Sequence, residues 1–357
     1  MTIAHPTREP TSPARHTVGA DADAVHVSSA SGADLGEEVG EEVGQPHWKN
    51  RLTREELREL LALDDRRSLA TLAVNWGIVF AAFALVGWHA NPLTIVIALL
   101  LIGGRQLGCA IVMHEAAHRT FLRDREWNDR IGNWLGAYPI WGDVLPYRAY
   151  HLLHHAKTGT EADPDLSLTS PFPITRASFR RKVWRDLSGQ TGWKQAIATL
   201  KRDLGLGRRA TQRSQGIEPG AKPDVGWHKL VPPLVANGVI LGILAAFGRP
   251  ELYLLWVVAW LTTYRLALRI RSIAEHALAG PAEDPLRNTR TTLVSWWERL
   301  LLAPNFVNYH LEHHLLMTVP HYHLRRMHEL LRKKGLLERA LVTEGGYREV
   351  LQSATSR

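Results

Sequence analysis

Histidines gather in three short clusters along this chain of 357 residues. The clusters read His-Glu-Ala-Ala-His at 114–118, His-Leu-Leu-His-His at 151–155 and His-Leu-Glu-His-His at 310–314. Because residues three and four apart share one face of a helix, each cluster directs its imidazoles to one side. One metal ion needs fewer nitrogens, so the set predicts two ions of iron, copper or zinc. The predicted ligands are His114, His118, His151, His154, His155, His310, His313 and His314.

The first cluster alone also matches the helix of zinc proteases. In those enzymes two histidines at i and i+4 bind the metal, and the intervening glutamate, here Glu115, acts as general base. A protease of that kind needs only one more ligand, so it leaves the two later clusters unexplained. We therefore prefer the two-metal interpretation.

Long apolar stretches surround the clusters. Each approaches the ~20 residues that cross the hydrocarbon core of a bilayer. The four stretches are Leu69–Trp88, Pro92–Met113, Leu230–Phe247 and Leu252–Ile270. Residues 89–91 join the first pair and residues 248–251 join the second, which predicts two transmembrane hairpins. Two hairpins place all three clusters and both ends of the chain on the same side of the membrane.

The distribution of basic residues predicts which side this is. The short hairpin tips carry a single Arg249, whereas the segment between the hairpins is rich in Lys and Arg. By the positive-inside rule that segment is cytoplasmic, so we expect an integral cytoplasmic-membrane protein whose site faces the cytosol. The formal net charge of +8 indicates attraction to anionic lipid head groups, and we expect no nucleic-acid partner because no recognised nucleic-acid-binding fold accompanies it.

Composition predicts one membrane-embedded unit with appended tails. We expect residues 1–47 to form a disordered cytosolic tail, residues 48–330 the membrane domain, and residues 331–357 a C-terminal cytosolic helix and tail. The histidines of the first tail are expected to be solvated polar residues; they are His5, His16, His26 and His47. Cys109 is the only cysteine, which excludes a fused cysteine-ligated iron–sulfur domain, so electrons for redox chemistry must come from another protein.

The order and spacing of the clusters resemble the membrane fatty acid desaturase superfamily over about residues 69–330. Asp163-Pro-Asp165 and Pro320-His-Tyr, beside the second and third clusters, are similar to the bacterial acyl-lipid branch. The resemblance implies an all-α integral membrane fold with four transmembrane helices and a cytosolic helical cap. It also implies that the eight histidines hold two iron ions, which use O2 and two electrons to place a double bond in the fatty acyl chain of a lipid or thioester. An external donor of ferredoxin, rubredoxin or cytochrome type, with its reductase, would supply the electrons.

The same family commonly has one more histidine after the fourth transmembrane helix, and His276 occupies the matching place. Helical spacing from Arg265 through Ser272 independently directs His276 back along the hairpin. Some members have Asn four residues before this histidine, where this chain has Ser272.

Polar residues near the clusters are candidates for supporting roles. Carboxylates can accept the second N–H of a ligand imidazole and fix its tautomer; the candidates are Glu115, Asp143, Asp163, Asp165 and Glu312. Arg105 and Gln106 lie inside the second apolar stretch, where ionisable groups are costly and usually functional. We expect these two to line the substrate channel or to pair with another helix.

Two other functions fit parts of the pattern. A hydroxylase or ketolase acting on a carotenoid, sphingolipid or other lipid would share the ligand spacing and the first hydrogen abstraction. A non-catalytic metal-binding membrane protein is expected to place polar ligands at the bilayer midplane, which this chain does not. We therefore expect an oxygen-dependent oxidoreductase with a membrane lipid or acyl substrate.

Overall fold

The computed structural model of the chain describes residues 48–206 and 224–356. The predictions for residues 1–47, with their four histidines, lie outside the described residues. The described part is largely helical, as predicted, and its only strands are two residues long.

The helices and strands of the described part follow in chain order. They are α1 (Arg54–Leu61), α2 (Asp65–Trp88), α3 (Pro92–His118), α4 (Arg125–Ile131), α5 (Val144–Lys157), α6 (Leu166–Thr169), α7 (Arg176–Leu187), α8 (Gln190–Asp203), α9 (Val231–Ala246), α10 (Tyr253–Leu261), α11 (Thr263–His276), β1 (Thr291–Thr292), α12 (Trp296–Leu301), α13 (His310–Leu315), α14 (His321–Lys333), β2 (Val342–Thr343) and α15 (Gly346–Ala354). Strands β1 and β2 pair in parallel.

Three helices of the described part are long and apolar enough to cross a membrane. They are Asp65–Trp88, Pro92–His118 and Trp227–Ala246, the last of which begins with a short 3-10 turn. Local sequence sets their ends: Asp64 caps α2, and Asn91 with Thr94 forms a capping box before Pro92 in α3. Helix α3 continues without a break into the first histidine cluster, so one of the three candidate spans carries His114 and His118.

The fourth predicted span, 252–270, is two helices rather than one. Thr262 leaves the helical region with φ −123° and ψ −85°, which separates α10 from α11. Next to the break, the Thr263 hydroxyl donates to the Leu99 carbonyl at 2.6 Å and so ties α11 to α3. Helix α10 has nine residues and α11 carries several arginines, so neither half alone meets the length and composition of a span.

Helix α3 lies at the centre of the packing. It contacts α2, α10, α11 and α12 along most of its length. Close approach requires glycine at two positions in particular. A methyl group at Gly104 would lie 2.8 Å from the Leu301 carbonyl oxygen, and one at Gly108 would lie 1.9 Å from Asn75 Oδ1. The absence of side chains there lets neighbouring elements approach α3 closely.

The C-terminal residues pack against the helix that carries His276. Tyr347 and Val350 of α15 are buried with Ile273 of α11. The Ile174 N–H donates to the Ala354 carbonyl at 2.9 Å, and the Tyr347 N–H donates to Glu298 at 2.9 Å. The boundary drawn at residue 331 falls inside α14.

Candidate metal centre

The nine predicted histidines lie at the ends of four helices. His114 and His118 are in the last turns of α3, the second cluster is in the last turns of α5, the third forms most of α13, and His276 ends α11. The structure brings them into two groups, each with its ring nitrogens within 4.8 Å of one another. The first group is His114, His118, His151, His155 and His313; the second group is His154, His276, His310 and His314.

The nitrogen spacing within the groups fits metal coordination. His155 Nε2 lies 3.0 Å from Nε2 of His151 and 3.0 Å from Nε2 of His313. In the second group, Nε2 of His310 lies 2.9 Å from Nε2 of His276. Nitrogens this close together could bind one metal ion at bond lengths of about 2.1 Å.

Hydrogen bonds between the imidazoles do not account for the arrangement. A ring nitrogen has a single N–H or a single in-plane lone pair, so His155 Nε2 cannot bond well to two neighbours at once. Several buried nitrogens, including Nε2 of His118 and Nε2 of His314, have no hydrogen-bond partner in the described part of the chain. Leaving such groups unpaired is costly, and a bound cation removes the cost. The residues present thus fit two metal ions.

Three histidines of the second and third clusters are held in the neutral form by their surroundings. Burial, followed by repulsion from neighbouring imidazoles, keeps the pKa of His151, His313 and His314 well below its usual value. Neutral imidazole is the form that binds metals. These three histidines therefore need not release a proton before they bind a metal at neutral pH.

Two carboxylates contact histidines of the second group. Asp163 Oδ1 accepts a hydrogen bond from His154 Nδ1 at 2.8 Å, which leaves His154 Nε2 free for a metal. Burial opposes ionisation of Asp163, but the hydrogen bond and charge of His154, together with the backbone N–H groups of Gly159 and Asp165, outweigh it and lower the Asp163 pKa. Glu275 Oε1 lies 3.6 Å from His310 Nδ1 and accepts from Arg271 at 2.6 Å.

The Glu115 side chain lies beside His114 of the first group and hydrogen-bonds to residues outside that group. Its Oε1 lies 3.5 Å from His114 Nδ1, and its Oε2 accepts from Thr120 at 3.0 Å and from the His321 backbone N–H at 3.0 Å. A zinc-protease glutamate must instead face the metal-bound water. This orientation and the second histidine group both argue against the protease interpretation.

The other predicted carboxylates have different partners. Asp165 accepts from the Tyr150 hydroxyl, and its Oδ2 lies 3.9 Å from His154 Nδ1. Asp143 caps α5 and binds Lys229 at 3.0 Å, and Glu312 binds His328 at 2.7 Å. In the described part of the chain, neither the Asp143 nor the Glu312 carboxylate hydrogen-bonds to a histidine of the two groups.

Arg105 and Gln106 pair with neighbouring elements. Arg105 donates to the Leu300 carbonyl, and Gln106 donates to the Trp256 carbonyl at 2.9 Å. Ser272 lies half-buried on α11, one turn before His276. Of the two roles expected for Arg105 and Gln106, helix pairing is the one these contacts show.

Sequence reasoning missed three residues at the site. The Tyr147 ring stacks on His151 with centroids 5.1 Å apart, and its position four residues before His151 was a usable signal. Glu275 directly precedes His276 in the sequence. His321 contacts Glu115, which lies 206 positions earlier in the chain, so no local sequence pattern predicts this contact.

A cavity of about 410 Å³ opens beside Tyr147. Met113, directly before His114, and Tyr138 contribute apolar surface to its lining. Charged side chains of both signs line it as well; they are Asp143, Arg202, Asp203 and Lys229. Because Tyr147 contacts both the cavity and His151, the cavity adjoins the first histidine group.

Comparison with known proteins adds independent information. The family model described as fatty acid desaturase matches residues 87–344. Dihydrorhizobitoxine desaturase of Bradyrhizobium elkanii is 29% identical over 309 residues, which cover 79% of this chain and 83% of that protein. The sn-1 oleoyl-lipid 12-desaturase of Synechocystis sp. is 22% identical over 74% of each chain. The acyl-lipid (8-3)-desaturase of Thraustochytrium sp. is 26% identical over 70% of this chain and 60% of that protein.

Proposed function

This chain belongs to the fatty acid desaturase family, and we propose that it is a diiron, O2-dependent desaturase that introduces a double bond into the fatty acyl chain of a lipid or thioester. Family membership makes it a membrane oxidoreductase. The observation that carries the finer proposal is the convergence of nine histidines into two groups beside a cavity.

Two bound iron ions would supply the activation of O2 that the removal of two hydrogens from an unactivated chain requires. The first and second histidine groups would each hold one of them. Imidazole is a neutral ligand, so the nine histidines would leave the positive charge of the metals uncompensated and the centre strongly electrophilic. Asp163 fixes the orientation of His154 through a hydrogen bond, and Glu275 lies 3.6 Å from His310 Nδ1 without a hydrogen bond to it.

The cavity beside Tyr147 is the proposed entrance for the substrate. The surface of Met113 and Tyr147 suits an apolar chain, and it continues to the first histidine group. Lys229 and Arg202 lie on the cavity wall, where they can contact the polar end of a substrate. Two of the relatives named above have names that refer to lipid substrates, which supports an acyl chain as the reacting group.

We propose further that the chain crosses the cytoplasmic membrane four times as two hairpins, with α10 and α11 together making the fourth crossing. In support, Arg249 at the second tip donates to the Gly87 carbonyl near the end of α2. The basic segments outside the tips favour a cytosolic histidine centre.

Cysteine labelling tests this topology, because the native Cys109 is buried and is not expected to react. An impermeant thiol reagent added to intact cells should label Trp88→Cys and spare Arg180→Cys. Labelling of Arg180→Cys alone would indicate the opposite orientation.

Growth of an expressing host under heavy dioxygen tests the reaction. We expect lipids that have lost two hydrogens and carry no label, because in a desaturation both oxygen atoms leave as water. His155→Ala is the matched inactive control. A labelled hydroxyl or keto group as the main product would instead assign a hydroxylase or ketolase on the same scaffold. Unchanged lipids together with desaturation of a soluble metabolite would contradict the acyl substrate.

A further inference from the structure

A second concave surface, of about 540 Å³, lies between α2 and the α12 region. Arg67, Arg105 and Arg299 line it, and we call it the arginine groove. Among the described residues that line this groove there is no acidic side chain and none of the nine histidines. Arg105 precedes His114 on the same helix by nine residues, or about 13 Å of helix axis. The groove is therefore a different site from the histidine centre.

Two of the three arginines that line the arginine groove have no carboxylate partner in the described part of the chain. Arg105 is 5% exposed and donates to the Leu300 carbonyl, but its Nε atom has no hydrogen-bond partner among the described residues. The Arg299 guanidinium lies 4.8 Å from the Phe306 ring, and no carboxylate in the described part of the chain pairs with it. Arg67 is more than half exposed, and Asp64 is 3.5 Å from its Nε atom. A buried guanidinium with an unpaired Nε atom, in a groove that two further arginines line, indicates an anionic ligand.

The remaining walls of the arginine groove are apolar or aromatic. Val74 and Ile78 lie on the same face of α2, and Val74 is 59% exposed. Trp296 stands 78% exposed at the rim, as tryptophan does at the head-group level of a bilayer. From Arg67 to Ile78 the groove follows about 16 Å of α2. A small soluble anion would leave the apolar wall uncovered, whereas a phospholipid can place its phosphate on the arginines and an acyl chain on the wall.

We propose that the arginine groove binds one anionic phospholipid, with the head-group phosphate on Arg67, Arg105 and Arg299. Arginine holds phosphate through paired, charge-assisted hydrogen bonds. An acyl chain of the same lipid lies along Val74 and Ile78. The bound lipid joins α2 to α3 and to α12. The arginine groove is thus a lipid-binding site separate from the site of the reacting chain.

Quenching of tryptophan fluorescence by brominated lipid tests the proposal. The full-length protein is reconstituted into phosphatidylcholine vesicles that contain a rising fraction of brominated phosphatidylglycerol or, in parallel, brominated phosphatidylcholine. We expect stronger quenching by the anionic lipid, and Trp296→Phe should remove most of the difference. Arg67→Gln and Arg299→Gln should each weaken the preference about fivefold, the effect of one basic residue on binding to anionic lipid. The matched control is Arg130→Gln, which removes an exposed arginine paired with Glu126 elsewhere.

Three results would overturn the proposal. The first is equal quenching by the two lipids in the unmodified protein. The second is an equal loss of preference in Arg130→Gln and in Arg299→Gln, which would show a general charge effect. The third is displacement of the anionic lipid by inorganic phosphate alone, which would show a soluble-anion site. Arg67→Gln and Arg299→Gln change side chains at the groove surface, so the test does not depend on altering the buried Arg105.

Discussion

Nδ1 of His154 lies 2.8 Å from Oδ1 of Asp163, nine positions later in the chain. The same carboxylate accepts from the backbone N–H groups of Gly159 and Asp165, both at 2.9 Å. Asp163 therefore holds the turn after α5 and the tautomer of a histidine in one arrangement. The first aspartate of the Asp-Pro-Asp extension is therefore the residue that orients a histidine of the second group.

The first prediction concerns this carboxylate. Asp163→Asn keeps the shape of the side chain and an acceptor for the backbone, but it removes the charge that orients His154. We expect metal affinity to fall by about 10–100-fold, as for other partners of metal-bound histidines. Iron retained against a competing chelator measures the change. Asp143→Asn is the control, since Asp143 binds Lys229 instead of a histidine; equal retention in both variants would contradict the assignment.

The second prediction separates the two histidine groups. We expect about two iron ions per purified chain, because the nine imidazoles form two sets of ligands. His276→Ala should lower this to about one, since His276 belongs only to the second group. Metal analysis by mass spectrometry decides the outcome, with the exposed His89→Ala as control. One zinc ion and no iron in the unmodified protein would contradict the diiron proposal.

The third prediction concerns the link between α3 and α14. His321→Ala removes the side-chain contact to Glu115 at 3.3 Å and leaves a buried carboxylate with one partner fewer. We expect the free energy of unfolding to fall by about 1–3 kcal/mol. Thermal unfolding in detergent measures this, with Arg325→Ala on the exposed face of the same helix as the control. Equal melting temperatures for the two variants would show that the contact is not stabilising.

The fourth prediction compares two glycines in apolar helices. Gly104→Ala places a methyl group 2.8 Å from the Leu301 carbonyl oxygen, whereas a methyl group at Gly77 meets nothing within 4 Å. We expect Gly104→Ala to lower the yield of monodisperse, iron-loaded protein severely. Gly77→Ala should be neutral or stabilising by about 0.5–1 kcal/mol through helix propensity. Size-exclusion chromatography and iron content provide the measurement. A normal yield for Gly104→Ala would mean that α12 can move away from α3.

The fifth prediction concerns the proposed external electron donor. The cap helix α7 exposes Arg180 and Arg181, so an acidic donor is expected to dock on a basic surface. Added salt should slow donor-supported turnover severalfold by screening that encounter. Arg180→Glu with Arg181→Glu should weaken the dependence on salt while leaving the iron content unchanged. Turnover with O2 and no reductant would show that no donor is needed.

The convergence of the histidines could be predicted from sequence because each cluster repeats at the spacing of one helical face. Their division into two groups could not. His154 joins the second group while His151 and His155, its neighbours on α5, join the first, and His313 separates from His310 and His314 in the same way. That partition depends on how α3, α5, α11 and α13 approach one another, which no local pattern encodes.

The break in the predicted fourth span illustrates a second limit. Leu266, Leu268 and Ile270 continue the apolar pattern beyond Thr262 despite two arginines, so the sequence predicts one apolar stretch over residues 252–270. The helix ends because the threonine hydroxyls bond to main-chain carbonyls, one of them on α3. Such a tertiary hydrogen bond leaves no trace in the periodicity of the sequence.

The packing of α15 on α11 makes the histidine centre sensitive to damage far from any ligand. A protease that removed residues 346–354 would strip Tyr347 and Val350 from the back of the helix that ends in His276. It would also release Ile174 from the Ala354 carbonyl. Such a clipped protein would keep every histidine and still lose iron, so an inactive preparation calls for a check of its C-terminal mass before its metal content is interpreted.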